Sequence, residues 1–500
     1  MNEHASISRE RLEKSPGEVY TRTVLKPSYD FMLDNYFEEL LETNKAWTVM
    51  LSDCGIITDQ ATKGLVSAIR DLEQEGREGM GAFDSRYEYF YSTMEAYLIR
   101  RAGEEIAGEI NIGRTRPEPL ARMALRERLL TLIDRVNDLR AQLLAVAARE
   151  ATTVIPMGTH MQHAQVATVG HYLLGLIDRF DRDVERLLHA YKTTNQCTLG
   201  CGALVGSSYP IDRELVAHLL GFDGIVENTN DCVGAGDYML EGVSAIAGTM
   251  IGLSRLCQDL YTWHTQEFSY LTIGDDYSGS SSMMPQKKNP YPFEYARTAA
   301  AHIVGDMNGA FSALHNTNYQ DIKDVEEGLP PPVFRACDSA AQMLELITGV
   351  MATAAFDTEV AYAQAATHFA SCTELAARIH RETDVSMRTA HRVVGNLVLR
   401  AMKAGQKATE VGAETLNASA QEILGRDLPF DDEFVASALE PTRFVEAHDL
   451  IGGPSQRRVE ESLARARESL TTHQARVQDL RDALARSRGE LADRVRAKAA

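Results

Sequence analysis

Between Pro117 and Glu150 the apolar residues Leu125, Leu129, Leu132, Val136, Leu139, Leu143 and Val146 advance by alternating steps of four and three. Residues three and four apart share one face of an α-helix, so this spacing predicts a long helix with a continuous apolar seam. Helical patterns with few breakers also fill much of Gln162–Tyr191, Asp231–Glu267, Tyr291–His315 and Val333–Ala355, each long enough to cross a domain. Long helices concentrated in one region predict a bundle. Alternating β-branched strands are scarce, so the expected fold class is all-α. Ordinary core packing accounts for any single seam, which leaves the chemistry to the loops between helices.

A chain of 500 residues exceeds what one hydrophobic core usually serves, and 44% apolar residues suffice for two or three domains. Punctuation divides it into an N-terminal helical domain (1–113), a central long-helix bundle with a loop rich in polar residues (114–356) and a C-terminal helical domain (357–500). In the last of these, Gly452-Gly453-Pro454 restarts the chain into a charged final helix suited to an exposed or subunit-facing surface. The formal charge of -20, from 71 acidic and 51 basic side chains, argues against a general binder of nucleic acid or anionic membrane. The opening MNEHASISRERLEKS lacks the apolar run of a secretory signal, and no later stretch gives the roughly 18 uninterrupted apolar residues of a membrane span. A cytoplasmic protein is the expectation. Seven scattered cysteines read as reduced thiols, and the close pair Cys197 and Cys201 lacks a second Cys or His pair at ligand spacing, which favours buried thiols over a zinc site.

The segment Gly274–Pro290 breaks the helical pattern. Gly274, Gly279 and the serines 278, 280, 281 and 282 loosen the backbone, while Pro285 and Pro290 bracket Gln-Lys-Lys-Asn. It reads as a lid followed by an anion-binding turn, since lysines and an amide beside exposed backbone N–H groups suit a carboxylate or phosphate. A Ser-rich surface linker has the same spacing.

The run Ser281-Ser282-Met283-Met284-Pro285-Gln286-Lys287-Lys288-Asn289 resembles the signature of the aspartase, fumarase and argininosuccinate lyase superfamily. GRTR at Gly113–Arg116, GTHMQHAQ at Gly158–Gln165 and GALVGSSYPIDRE at Gly202–Glu214 narrow the resemblance to the argininosuccinate lyase branch. The resemblance implies a three-domain fold with a central bundle, no metal or organic cofactor, a dicarboxylate substrate, and a homotetramer whose pockets draw on three subunits. It implies elimination of an amine from a succinyl α-carbon as the β-proton leaves, through an aci-carboxylate that fixed donors and cations must stabilise. By the same resemblance Ser281 is the base and Lys287 with Asn289 holds the carboxylate that gains charge. Thr159 contacts substrate, and His160 is the general acid or its relay, because imidazole donates a proton near neutral pH. The other carboxylate meets Arg114, Thr115 or Arg116, with Arg116 favoured for its guanidinium fork. Asn228 falls where a neighbouring subunit lends polar contacts, and Ser282, Met284, Gln165 and Lys323 complete the expected substrate-contacting set.

Departures from the branch fall at the far end of the substrate. Pro117-Glu118 stands where Asn-Asp is typical, Tyr89-Phe90-Tyr91 replaces an Asp-x-His pattern, and NYQDIKDVEEG at Asn318–Gly328 only loosely follows the usual stretch. A succinyl half read as usual, with a leaving amine other than arginine, is therefore an open alternative: an N-succinyl amine or aminocarboxylate lyase acting on ethylenediamine-disuccinate-like compounds. A catalytically silent structural homologue is the other, and it predicts loss of the base or its cations.

Overall fold

The computed structural model describes residues 14–115 and 119–499. Arg116, Pro117 and Glu118 lie outside the described residues. The N-terminal part contributes helices α1 (Lys26–Asp53), α2 (Asp59–Glu75) and α3 (Phe90–Ala102). The centre is five long helices: α4 (Leu120–Arg149), α5 (Val169–Thr194), α6 (Asp237–Trp263), α7 (Tyr291–Leu314) and α8 (Pro330–Thr353). All seven residues of the α4 seam are fully buried. Leu130 and Ile133, off the seam, are buried too, because α5 covers α4 from one side and α8 from another. The fold is all-α, with only short two-stranded sheets among the described residues.

Polar side chains pin the central helix where burial alone would let it slide. Arg126 donates to Asn195 Oδ1 (2.9 Å) and to the Leu220 carbonyl (2.8 Å), and Arg140 reaches Asn137 Oδ1 (2.9 Å), His473 Nδ1 (2.9 Å) and Asp181. Each guanidinium is buried, so each needs such partners to offset its lost hydration.

One helix expectation is corrected. The helical pattern is expected over much of Gln162–Tyr191, but its first part, Gln162–Thr168, is strand β2, paired antiparallel with β1 (Val154–Thr159), and α5 starts only at Val169. Thr168 caps that helix by accepting the His171 N–H, and the apolar side chains Val154 and Val166 bury against Ala365, Phe444 and Val445 of the C-terminal part. Packing on a distant segment decided the conformation, which a local period does not report.

Beyond α8, a compact second core forms around Leu375, Val393, Leu397, Leu416 and Val435. The final helix, α9 (Gln456–Ala499 in the numbering of the long helices), does not join it. Its buried stripe of Val459, Leu463, Leu470, Val477, Leu484 and Leu491 belongs to the large core, and its charged flank pairs Arg481 with Asp134 (2.5 Å) and Arg488 with Glu127 (2.7 Å) on α4.

Candidate active site

Three groups of side chains carry the candidate chemistry, and the bundle fixes where each stands. In the lid, β-pairing of Gly279–Ser280 with Lys288–Asn289 closes a loop over residues 281–287. Within it the Ser281 hydroxyl oxygen accepts N–H donors from Met284 (3.0 Å) and Met283 (3.4 Å). Two backbone donors on one hydroxyl favour any negative charge that develops there. Lys287, Ser282 and Met284 are exposed, and Lys287 has no ion-pair partner among the described residues, whereas Lys288 is tied to Asp275. Asn289 donates to the Gly279 carbonyl (3.4 Å) and the Tyr291 hydroxyl (3.2 Å). A Cβ at position 279 would overlap the Tyr291 ring, so glycine is needed where the lid meets its hinge.

The second group sits on the β1–β2 hairpin. Thr159 pairs with Gln162, leaving His160 and Met161 as a two-residue turn with φ of 54° and 59°. Both central residues in the left-handed region make a type I′ turn, which non-glycine residues enter at a cost. The turn holds His160 exposed at the tip. Gln165 is committed to Thr373 Oγ1 (3.1 Å), and His163 stacks edge-on against His368 with ring centroids 5.1 Å apart. Burial, then the neighbouring His368 charge, holds the His163 imidazole below its ordinary pKa.

The third group lines a cavity of about 350 Å³, continuous with a smaller one through shared Met32, Tyr36, Thr115 and Glu326. Thr115 and Lys323, both in the expected site, line it, as do Tyr89 and Tyr91. Arg114 stands just behind: its guanidinium lies 5.0 Å from the Tyr91 ring centroid and donates to Asn44 Oδ1 (2.7 Å), while its buried Nε and Nη1 have no hydrogen-bond partner among the described residues. Lys323 is held by Glu326 and Glu327, each 2.6 Å away, and sits over the Tyr89 ring. Burial depresses the Lys323 pKa, but the two carboxylates outweigh it and keep the ammonium above the usual lysine value. Nearby, Asn228 caps the short helix Thr229–Gly234, its Oδ1 accepting the Asn230 (2.9 Å) and Asp231 (3.2 Å) N–H groups. Arg116 is outside the described residues.

Neither the lid residues nor Thr159 and His160 line that cavity. The reason is helix direction. Pro119 and Arg122 at the start of α4, Ala235 and Tyr238 at the start of α6 and Pro330 at the start of α8 all border the cavity. At their other ends, Arg149 donates to the Ala354 carbonyl (2.7 Å), and the Gly274 N–H at the base of the lid donates to Thr353 Oγ1 (3.0 Å). The hairpin also leaves from the end of α4. A helix of 30 residues is roughly 45 Å long, so one chain carries its lid and hairpin at one end of the bundle and its cavity at the other. Three helix N-termini, with their positive partial charge, converge on the cavity. Tyr36 and Arg122 were absent from the sequence-based site. A buried tyrosine or arginine in a helical seam has the pattern of an ordinary core position, and only packing reveals that it faces a void.

Comparison with known proteins agrees with this architecture. A family described as "Lyase" matches residues 20–305, and one described as "Argininosuccinate lyase C-terminal" matches residues 369–446. The protein is therefore an enzyme of the lyase class with the all-α aspartase/fumarase-type fold. More narrowly, the chain belongs to the argininosuccinate lyase family. It is 32% identical to argininosuccinate lyase 1 of Shouchella clausii (strain KSM-K16), covering 95% of this chain and 96% of that protein. It is 35% identical to argininosuccinate lyase of Methanoculleus marisnigri, covering 87% of each. Among solved structures, an EDDS lyase variant with bound fumarate superposes with a TM-score of 0.87 at 28% identity over 97% of both chains. A class II fumarase from Schistosoma mansoni, at TM-score 0.69 and 15% identity over 87% of this chain and 94% of its own, shares the fold.

Proposed function

We propose that this enzyme eliminates an amine from an N-substituted aspartate and releases fumarate, with Ser281 as the base. The observation that carries the reading is the Ser281 hydroxyl accepting two backbone N–H donors on an exposed loop. A serine hydroxyl is too weak an acid to ionise in water, and such donors are what lower that barrier. In the elimination, Ser281, ionised to its alkoxide, takes the β-proton to become the neutral hydroxyl, the pair from that C–H bond forms the alkene, and the C–N bond breaks with its pair going to nitrogen. Lys287 and Asn289 hold the carboxylate that gains charge, and His160 supplies the proton to the departing amine. The two unpartnered nitrogens of Arg114, beside Thr115, suit the other carboxylate.

Such a site requires more than one copy of the chain, because the base and the cavity lie at opposite bundle ends. A homotetramer in which lid, hairpin and cavity come from three subunits satisfies the geometry. Exposed apolar side chains on the bundle support it: Ile251 on α6 and Tyr295 (65% exposed) and Phe311 on α7 are large groups that a lone monomer leaves in water. Among the described residues no helix is long and apolar enough to cross a membrane. Fumarate absorbance in the ultraviolet on adding argininosuccinate tests the reaction, and Ser281→Ala tests the base. Turnover surviving unchanged in that variant would remove Ser281 from the role.

A further inference from the structure

Resting on the lyase reading above, we infer that Tyr291 is a positioning residue that latches the resting lid: its hydroxyl holds the Asn289 amide away from substrate, and an arriving carboxylate must take that amide over before the lid can close.

The count of donors carries the inference. A carboxamide has two N–H donors. In Asn289 one goes to the Gly279 carbonyl (3.4 Å) and the other to the Tyr291 hydroxyl (3.2 Å), so neither is left for a ligand. The proposed base is in the opposite condition. Ser281 takes its donors from the Met283 and Met284 N–H groups inside the loop, and neither bond involves Tyr291. The resting lid thus combines a preformed base with a masked anion donor.

Tyr291 is suited to hold that state. It is the first residue of α7, and Pro292 and Phe293 after it are buried, so the ring is fixed to the bundle while Asn289 belongs to the lid. The ring edge lies where a Gly279 Cβ would stand, which sets one side chain against both strands of the lid base. Tyr291 is also 41% exposed, so a ligand can compete with its hydroxyl for the Asn289 amide. A carboxylate wins that competition, because a hydrogen bond to a charged acceptor is worth more than one to a neutral hydroxyl. The exchange releases Asn289 from the bundle and lets the lid strand follow the ligand.

Fumarate binding to the full-length enzyme, measured by isothermal titration calorimetry, tests the latch through Tyr291→Phe, which keeps the ring against Gly279 and removes only the hydroxyl. Loss of a competitor for the amide is expected to tighten fumarate binding by about two- to tenfold, the worth of one neutral hydrogen bond, with the melting temperature as in the parent. Asn289→Ala is expected to weaken binding about tenfold or more. Adding Tyr291→Phe to Asn289→Ala is expected to change nothing further, since no amide remains to be held. A ring that merely packs the hinge would act alike in both backgrounds. Unchanged or weaker binding in Tyr291→Phe, unchanged binding in Asn289→Ala, or an equal gain from Tyr291→Phe in the Asn289→Ala background overturns the inference. If the parent releases fumarate from argininosuccinate while Tyr291→Phe binds fumarate no more tightly, the lyase reading survives and the latch falls. If the parent neither binds fumarate nor releases it, the lyase reading itself is wrong and the latch falls with it.

Discussion

At the scale of single residues, His160 and Glu39 carry opposite lessons. His160 occupies a left-handed turn position that asparagine tolerates well, so His160→Asn keeps the hairpin while removing the proposed proton donor. The expected result is a kcat lower by about 10²–10⁴ with an unchanged melting temperature, since general acid catalysis contributes on that order. A variant with full kcat would exclude His160 from proton transfer. Glu39, on α1, has its carboxyl pKa pushed from 4.5 up to about 7, mainly by burial. The folded chain therefore keeps a proton that the unfolded chain releases, and stability from this group is highest below pH 4.5 and falls as pH rises to 7. The full cost at alkaline pH is about 3 kcal/mol as an upper bound. Glu39→Gln is expected to raise the melting temperature at pH 8 and leave it unchanged near pH 4.5. An equal shift at both pH values would show that charge at this position is not the cause. The proposed lid and Thr-His residues can be named from the sequence because their polar groups are concentrated in short local runs. Tyr36 was not, because its sequence environment is that of any core aromatic.

At the scale of elements, the same substitution has opposite consequences on two helices. On α6, Gly252 faces the Arg179 guanidinium so closely that a Cβ would displace it, and Arg179 in turn donates to the Gly248 carbonyl and to buried Asp183. Gly252→Ala gains about 1 kcal/mol of helix propensity but displaces one of the two arginines on buried Asp183, leaving Arg186 at 2.8 Å, and a lost hydrogen bond to a charged group costs about 1.5–3 kcal/mol. The net is a loss. Gly489 on the final helix has nothing within 4 Å of a Cβ, so Gly489→Ala is expected to stabilise by about 0.5–1 kcal/mol. Denaturant titration of the two variants checks the pair, and matching signs would contradict the packing account. The long helices were readable because burial on a fixed face leaves a 3.6-residue period in the sequence. The β1–β2 hairpin was not, because its strand character depends on Phe444 and Val445, nearly three hundred positions away.

At the scale of the whole molecule, the separation of lid and cavity leads to a complementation test. Ser281→Ala and Arg114→Ala are each expected to be nearly inactive, one lacking the proposed base and the other the proposed carboxylate donor. If different copies supply these residues to one pocket, mixed refolding at equal amounts leaves about a quarter of the sites with both intact. Recovery to about a quarter of parental activity is expected, and no recovery above the separate variants would mean that one chain supplies both. The sequence by itself determined the helices, the order in which they follow and the chemical groups on the loops, because periodic burial and short reactive runs are local properties of a chain. Tertiary structure alone decided that those groups stand at opposite ends of a bundle, that a strand pair replaces the start of a helix and that Tyr36 borders a void. Direction, partner and empty space arise only when segments far apart in the chain pack together.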